Sequence, residues 1–120
     1  MESAEPAASA PKKKKSKKAS PTARSLKVMR ERGYYCEVVE RFNSFTKTRK
    51  DFAGIIDILC LGDGEIIGVQ ATSDDNVSHR VTKIAEAEHT AAVRKAGIGI
   101  LIHGWRKKGA RWQLREVDVS

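Results

Sequence analysis

Apolar and polar positions divide this chain into a featureless first stretch and a body of clear periods. Residues 1–20 hold almost no large apolar side chain. Beyond them, Ala23, Leu26 and Met29 recur at helical spacing, with Ser20-Pro21 suited to a helix start and Gly33 to a stop, so a helix is predicted over 21–32. Tyr34 to Phe42 alternates: Cys36, Val38, Glu40 and Phe42 share one side, and Tyr35, Glu37, Val39 and Arg41 the other. This predicts a first strand. Asn43 to Ala53 is polar and cationic, has no sustained period, and reads as an exposed loop. Two apolar runs follow, Gly54 to Leu61 and Glu65 to Thr72, joined by Gly62-Asp63-Gly64. Gly and Asp tolerate the positive φ of a tight hairpin turn, so these runs are expected to pair antiparallel as strands two and three.

Ser73-Asp74-Asp75-Asn76 then supplies capping chemistry for a second helix over 77–96, with Val77, Val81, Ile84, Ala85, Ala92 and Val93 as its apolar stripe and Gly97 as its end. Ile98 to His103 has the unbroken apolar character of a buried strand, and Arg111 to Val119 alternates as a last edge strand. A helix crossing between the third and fourth strands implies that those two run parallel. The expected class is α/β, a mixed central sheet flanked by helices, with residues 1–20 as a disordered basic tail and 21–120 as one domain.

Charge narrows the partner. The chain carries 23 Lys and Arg against 15 Asp and Glu, a net charge of +8. The run Lys12-Lys13-Lys14-Lys15-Ser16-Lys17-Lys18 accounts for part of this excess, and the body keeps the rest. Such a balance favours a polyanion, because neutralising phosphates releases condensed counterions, and DNA is the expected partner. No apolar stretch approaches the ~20 residues that span a bilayer, and no signal-peptide core follows the charged run. The expectation is an intracellular protein with no membrane partner, cytoplasmic or nucleoid-associated, or nuclear in a eukaryotic host. Cys36 and Cys60 lack metal-ligand spacing and read as reduced core residues.

Asp57 is the anomaly in this pattern. A carboxylate inside a β-branched run costs several kcal/mol when buried unpaired, so something polar or metallic should meet it. Gln70 and Thr72 project together from the neighbouring strand. The Asp57 carboxylate, the Gln70 amide oxygen and the Ala71 carbonyl could present hard oxygen ligands to Mg²⁺, or Mn²⁺ in its place.

Arg49-Lys50-Asp51, Gly54-Ile55-Ile56-Asp57-Ile58 and Ile67-Gly68-Val69-Gln70-Ala71-Thr72 together resemble the core of the PD-(D/E)XK nuclease superfamily, in particular its Holliday-junction-resolvase-like and virus-type replication-repair members. The resemblance covers about residues 21–105, with its diagnostic part in Arg49 to Thr72. It implies an αβββαβ restriction-endonuclease-like core and Mg²⁺-dependent phosphodiester hydrolysis of DNA, structure-selective or nonspecific. Asp57 matches the family's metal-binding Asp and Gln70 its Glu or Gln, while Thr72 stands where the family has lysine. A threonine hydroxyl positions a water but brings no positive charge. Arg80 or Lys83 on the second helix is expected to replace the lysine, and Glu40 the acid that many relatives carry on the first helix. The resemblance places a loop contacting the DNA backbone at Ser44, Thr46, Lys47, Arg49 and Lys50, and Arg106, Lys107 and Lys108 beside Trp105 and Trp112 offer a second anionic contact. Relatives often dimerise to cut both strands, which makes a homodimer a candidate state. The alternative function is a catalytically inactive nuclease-fold module that binds DNA or takes part in an assembly.

Overall fold

A computed structural model describes residues 19–120. The expected basic tail, residues 1–20, lies almost wholly outside the described residues. Helix α1 (Pro21–Glu31) starts where its residues dictate: Ser20 Oγ accepts from Ala23 N at 3.1 Å, and Pro21 takes a first-turn position where no N–H is needed. Gly33 stops it at φ 101°, a left-handed conformation that costs glycine nothing.

Seven strands follow in two sheets. The main sheet is five-stranded in the order β1 (Tyr35–Val38), β4 (Ile58–Gly62), β5 (Glu65–Ser73), β6 (Ile98–Lys108), β7 (Arg111–Asp118). The second is a hairpin of β2 (Arg41–Asn43) and β3 (Thr48–Lys50). Asp63 and Gly64, both at positive φ, make the two-residue turn between β4 and β5. β5 and β6 pair in parallel from Ile66↔Ile98 to Ser73↔Trp105, with α2 (Val77–Glu86) and α3 (Thr90–Lys95) in the crossover. The other pairings are antiparallel. The chain is thus α/β, with a mixed five-stranded sheet flanked by helices.

Alternation along the strands splits the core in two. Met29 of α1 packs with Cys36, Ile58, Cys60 and Val69 on one face of the sheet. Val77 and Ile84 of α2 and Val93 of α3 pack with Ile55, Ile56, Ile100 and Ile102 on the other. Cys36 and Cys60 are free, buried and directly paired across β1 and β4, with sulfurs 3.3 Å apart. Among the described residues no helix is long and apolar enough to cross a membrane.

Three expected elements are corrected. The first strand does not run to Phe42: Val39 N bonds the carbonyl of Asp57 at 2.8 Å, the chain leaves the sheet, and Arg41 to Lys50 folds as its own hairpin instead of a loop. The second strand begins at Ile58 rather than Gly54. Residues 52–56 form a tight turn closed by Phe52 N to Ile56 O, with Ala53 and Gly54 at positive φ, and the consecutive Ile55 and Ile56 are both fully buried. The second helix is two helices. Ala87 is extended (ψ 147°), and the hydroxyl of buried Thr90 donates to the carbonyl of Ile84, taking over a bond that a continuous helix would make through backbone.

α2 enters against β6 at Gly104, where a Cβ would overlap Val77 Cγ2 and lie 3.1 Å from the Asp74 backbone Cα. Gly104→Ala is therefore expected to destabilise the fold by about 1–3 kcal/mol, the usual cost of overpacking. Urea unfolding measures it, and an unchanged midpoint would mean that α2 does not approach this closely.

Candidate functional site

The strand directions bring the chain's polar chemistry to one end of the sheet. β1, β5 and β6 all end there, and β4 begins there. Val38 leads out through Glu40 into the β2–β3 hairpin, and the chain returns through Asp51 and the turn to Asp57. Because Arg41 pairs with Lys50, Glu40 and Asp51 are the next residues outward at the base of that hairpin. Their carboxylates and that of Asp57 offer one oxygen each, all within 4.8 Å of one another.

Asp57 is 3 % exposed. One of its oxygens, Oδ2, accepts from Ala71 N at 2.9 Å. Burial pushes its pKa up to about 8; the Ala71 N–H opposes that shift, and the Asp51 and Glu40 carboxylates add to it. Three acids held this closely need either shared protons or a cation. Cations surround the group: Arg49 Nη1 lies 2.7 Å from Glu40 Oε2, and Lys83 Nζ lies 3.7 Å from Asp51 Oδ2.

Gln70 is fully buried and fully engaged. Its Nε2 donates to the Ile55 carbonyl at 2.7 Å and to Asp51 Oδ2 at 3.3 Å, while its Oε1 accepts from Arg80 Nη1 at 2.9 Å. The carbonyl on one side and the guanidinium on the other fix which way the amide points. So the expected ligand oxygen of Gln70 is turned to Arg80, and the residue presents N–H to the acidic group. Gln70 positions Asp51 and Arg80.

A cleft of about 370 Å³ opens over this group, walled by Ser20, Pro21 and Thr22 at the start of α1, by Glu40, Arg49, Asp51, Asp57 and Ala71, and by Arg80 of α2. The structure therefore brings together Asp57, Glu40, Arg80, Lys83 and Ala71, the last through its N–H. It does not bring Thr72 with them: that side chain is buried on β5 opposite Gly104 and is not part of the cleft wall. Comparison with protein-family models, curated proteins and solved structures finds no match to this chain.

Two basic arms flank the cleft. On the β1 side, the β2–β3 hairpin carries Lys47 at its turn and Ser44, Thr46, Arg49 and Lys50 around an open groove of about 700 Å³. On the other side, β6 outruns β5 by Arg106, Lys107 and Lys108, which pair only with β7. Both expected backbone-contacting segments thus project from the sheet end that holds the carboxylates. Trp112, paired with Lys107 near the tip of the second arm, stacks under Arg24 of α1, 3.8 Å from the ring centroid, and Trp105 is buried, so neither indole is free.

Asp51 is the site residue that strand periodicity missed. The signal was present in another form: Glu40 and Asp51 are acids that bracket Arg41 to Lys50, a ten-residue stretch with four cations and no acid.

Proposed function

We propose that this chain is a divalent-metal-dependent DNA nuclease domain of the PD-(D/E)XK type, with a restriction-endonuclease-like core. The observation that carries the reading is the three-carboxylate group at the sheet end, Asp57 buried and Glu40 and Asp51 half-buried, between two cationic arms. The donor set fits Mg²⁺ or Mn²⁺: hard oxygens at one point, with the cleft leaving room for water and a phosphate. Glu40, Asp51 and Asp57 would hold the ion. When bound, it supplies Lewis-acid polarisation of the phosphodiester and lowers the pKa of a nearby water.

The chain's own residues do the remaining work. Arg80, fixed by Gln70, and Lys83, beside Asp51, bring positive charge to the cleft from α2, in place of the lysine that Thr72 replaces on β5. The Ala71 N–H keeps one oxygen of Asp57 in place and leaves the other to the cleft. The two arms grip phosphates without reading bases, which suits structure-selective or nonspecific recognition.

A noncatalytic DNA-binding module is the competing reading, favoured by the engagement of the Gln70 oxygen with Arg80. Cleavage of linear, nicked and branched DNA with and without Mg²⁺ separates the two. The nuclease reading expects Mg²⁺-dependent cutting that Asp51→Ala reduces to background while salt-dependent DNA binding persists. Equal cutting by both proteins, or none by either, would discard it.

A further inference from the structure

Resting on the reading of the cleft as a nucleic-acid site, we propose that the β2–β3 hairpin is a base-stacking finger: Phe45 takes an unpaired nucleobase, and the substrate is DNA in which a duplex is interrupted by an unstacked nucleotide. Phe45 is 95 % exposed and Phe42 beside it 59 %. A ring so placed contributes nothing to the core.

Its position is nevertheless built. Asn43 Oδ1 accepts from both Phe45 N (2.9 Å) and Thr46 N (3.3 Å), Thr46 and Thr48 share a hydroxyl contact of 2.6 Å, and Lys47 turns the tip at φ 58°. A held tip spares the backbone share of the ordering cost on binding. The surroundings choose the occupant. Arg41, Lys47, Arg49 and Lys50 share the hairpin with no acid among them, which suits the phosphates on either side of a base better than an apolar protein surface.

Duplex bases are stacked on both faces, and wedging a ring between them costs a few kcal/mol per step. An unpaired base offers its face freely. At about 3.3 Å per strand residue, the tip lies roughly 10–15 Å from the carboxylates at the hairpin base. That span is about three to four base-pair steps at 3.4 Å each.

Fluorescence anisotropy in EDTA at fixed salt, with the full chain, tests the finger on a labelled duplex and on the same duplex carrying a short gap. The expected result is tighter binding of gapped DNA. Phe45→Ala should cut that preference about ten-fold with duplex binding unchanged, and Phe45→Trp should keep it. Lys47→Ala should weaken both substrates alike. No preference in the wild type, an equal loss on both substrates in Phe45→Ala, or no DNA binding at all would overturn the proposal. Without metal, a protein that binds but never cuts can still pass this test, and an active nuclease indifferent to the gap fails it.

Discussion

Asp57→Asn is expected to make the metal-free protein more stable at neutral and alkaline pH while reducing DNA cleavage to background. In the folded chain burial, Asp51 and Glu40 keep the Asp57 proton on until about pH 8, whereas the unfolded chain loses it near the ordinary value of 3.8. Between those values the folded state binds the extra proton, so stability falls as pH rises, by up to about 1.4 kcal/mol per pH unit. Asparagine has the same shape, its oxygen can accept from Ala71 N, and its amide can donate to Asp51. The share of the pH slope that Asp57 contributes should then disappear. Mg²⁺ acts in the opposite sense on the wild type: a cation among the acids favours their charged forms, so it should raise the wild-type melting temperature more at pH 8 than at pH 6 and leave Asp57→Asn unmoved. Urea titrations and thermal melts across pH 5–9, with EDTA and with Mg²⁺, read the two effects. Parallel pH profiles for the two proteins would rule the argument out.

The second large effect belongs to a polar chain that runs from the core to the surface on the α1 side of the sheet. Trp105 Nε1 and His103 Nδ1 each lie 2.8 Å from Ser25 Oγ, His103 Nε2 lies 2.8 Å from Glu116 Oε2, and Arg32 Nη1 closes the chain at 2.7 Å from that same oxygen. Indole nitrogen only donates, so the Ser25 hydroxyl accepts from Trp105 and gives its proton to Nδ1, and Nε2–H donates to Glu116. Serine, histidine and acid stand in the order of a hydrolase triad, yet Ser25 and His103 are 0 % exposed, so no substrate reaches them. The chain instead ties α1 to β6 and β7.

Ser25→Ala would leave the Trp105 N–H and His103 Nδ1 buried without partners, at about 1–3 kcal/mol each, so a loss of about 2–6 kcal/mol is expected. For a domain with ~5–15 kcal/mol to lose, that is severe. Burial lowers the His103 pKa against the opposing pull of Glu116. Below the ordinary histidine value the unfolded chain therefore takes a proton that the folded one resists, and the contribution of His103 to stability falls as pH drops, opposite in sign to that of Asp57. Chemical denaturation at pH 5 and pH 7.5 tests this; a Ser25→Ala midpoint within error of wild type would show that the network contributes nothing.

What could be read from the residues was what local chemistry decides. Ser20-Pro21 starts α1, Asp63-Gly64 turns the hairpin, and the β-branched runs on either side of α2 and α3 give the parallel pair β5–β6. What could not be read was set by distant partners. Alternation from Tyr34 to Phe42 continues past Val39, but pairing with β4 makes its last bond from Val39 N to the Asp57 carbonyl, and the chain beyond it turns into the β2–β3 hairpin. Helical periodicity continues past Glu86, but the Thr90 hydroxyl on the Ile84 carbonyl breaks it. In the candidate site, Asp57 stood out because it interrupts an apolar run, and Asp51 did not, because it sits among polar neighbours. The orientation of Gln70 depends on Arg80 and the Ile55 carbonyl, both remote in sequence from it. His103 looked like a strand end, and only the register with β7 brings Glu116 to it.

The outer margins of the main sheet constrain how copies of the chain can meet. β1 offers only four residues before the backbone departs, and β7 carries Arg111, Arg115, Glu116 and Asp118 along its length. Short or charged rims resist ladder-to-ladder growth between molecules. A twofold pair would thus have to join through helices or the projecting arms, and fibre-like stacking of sheets end to end is disfavoured.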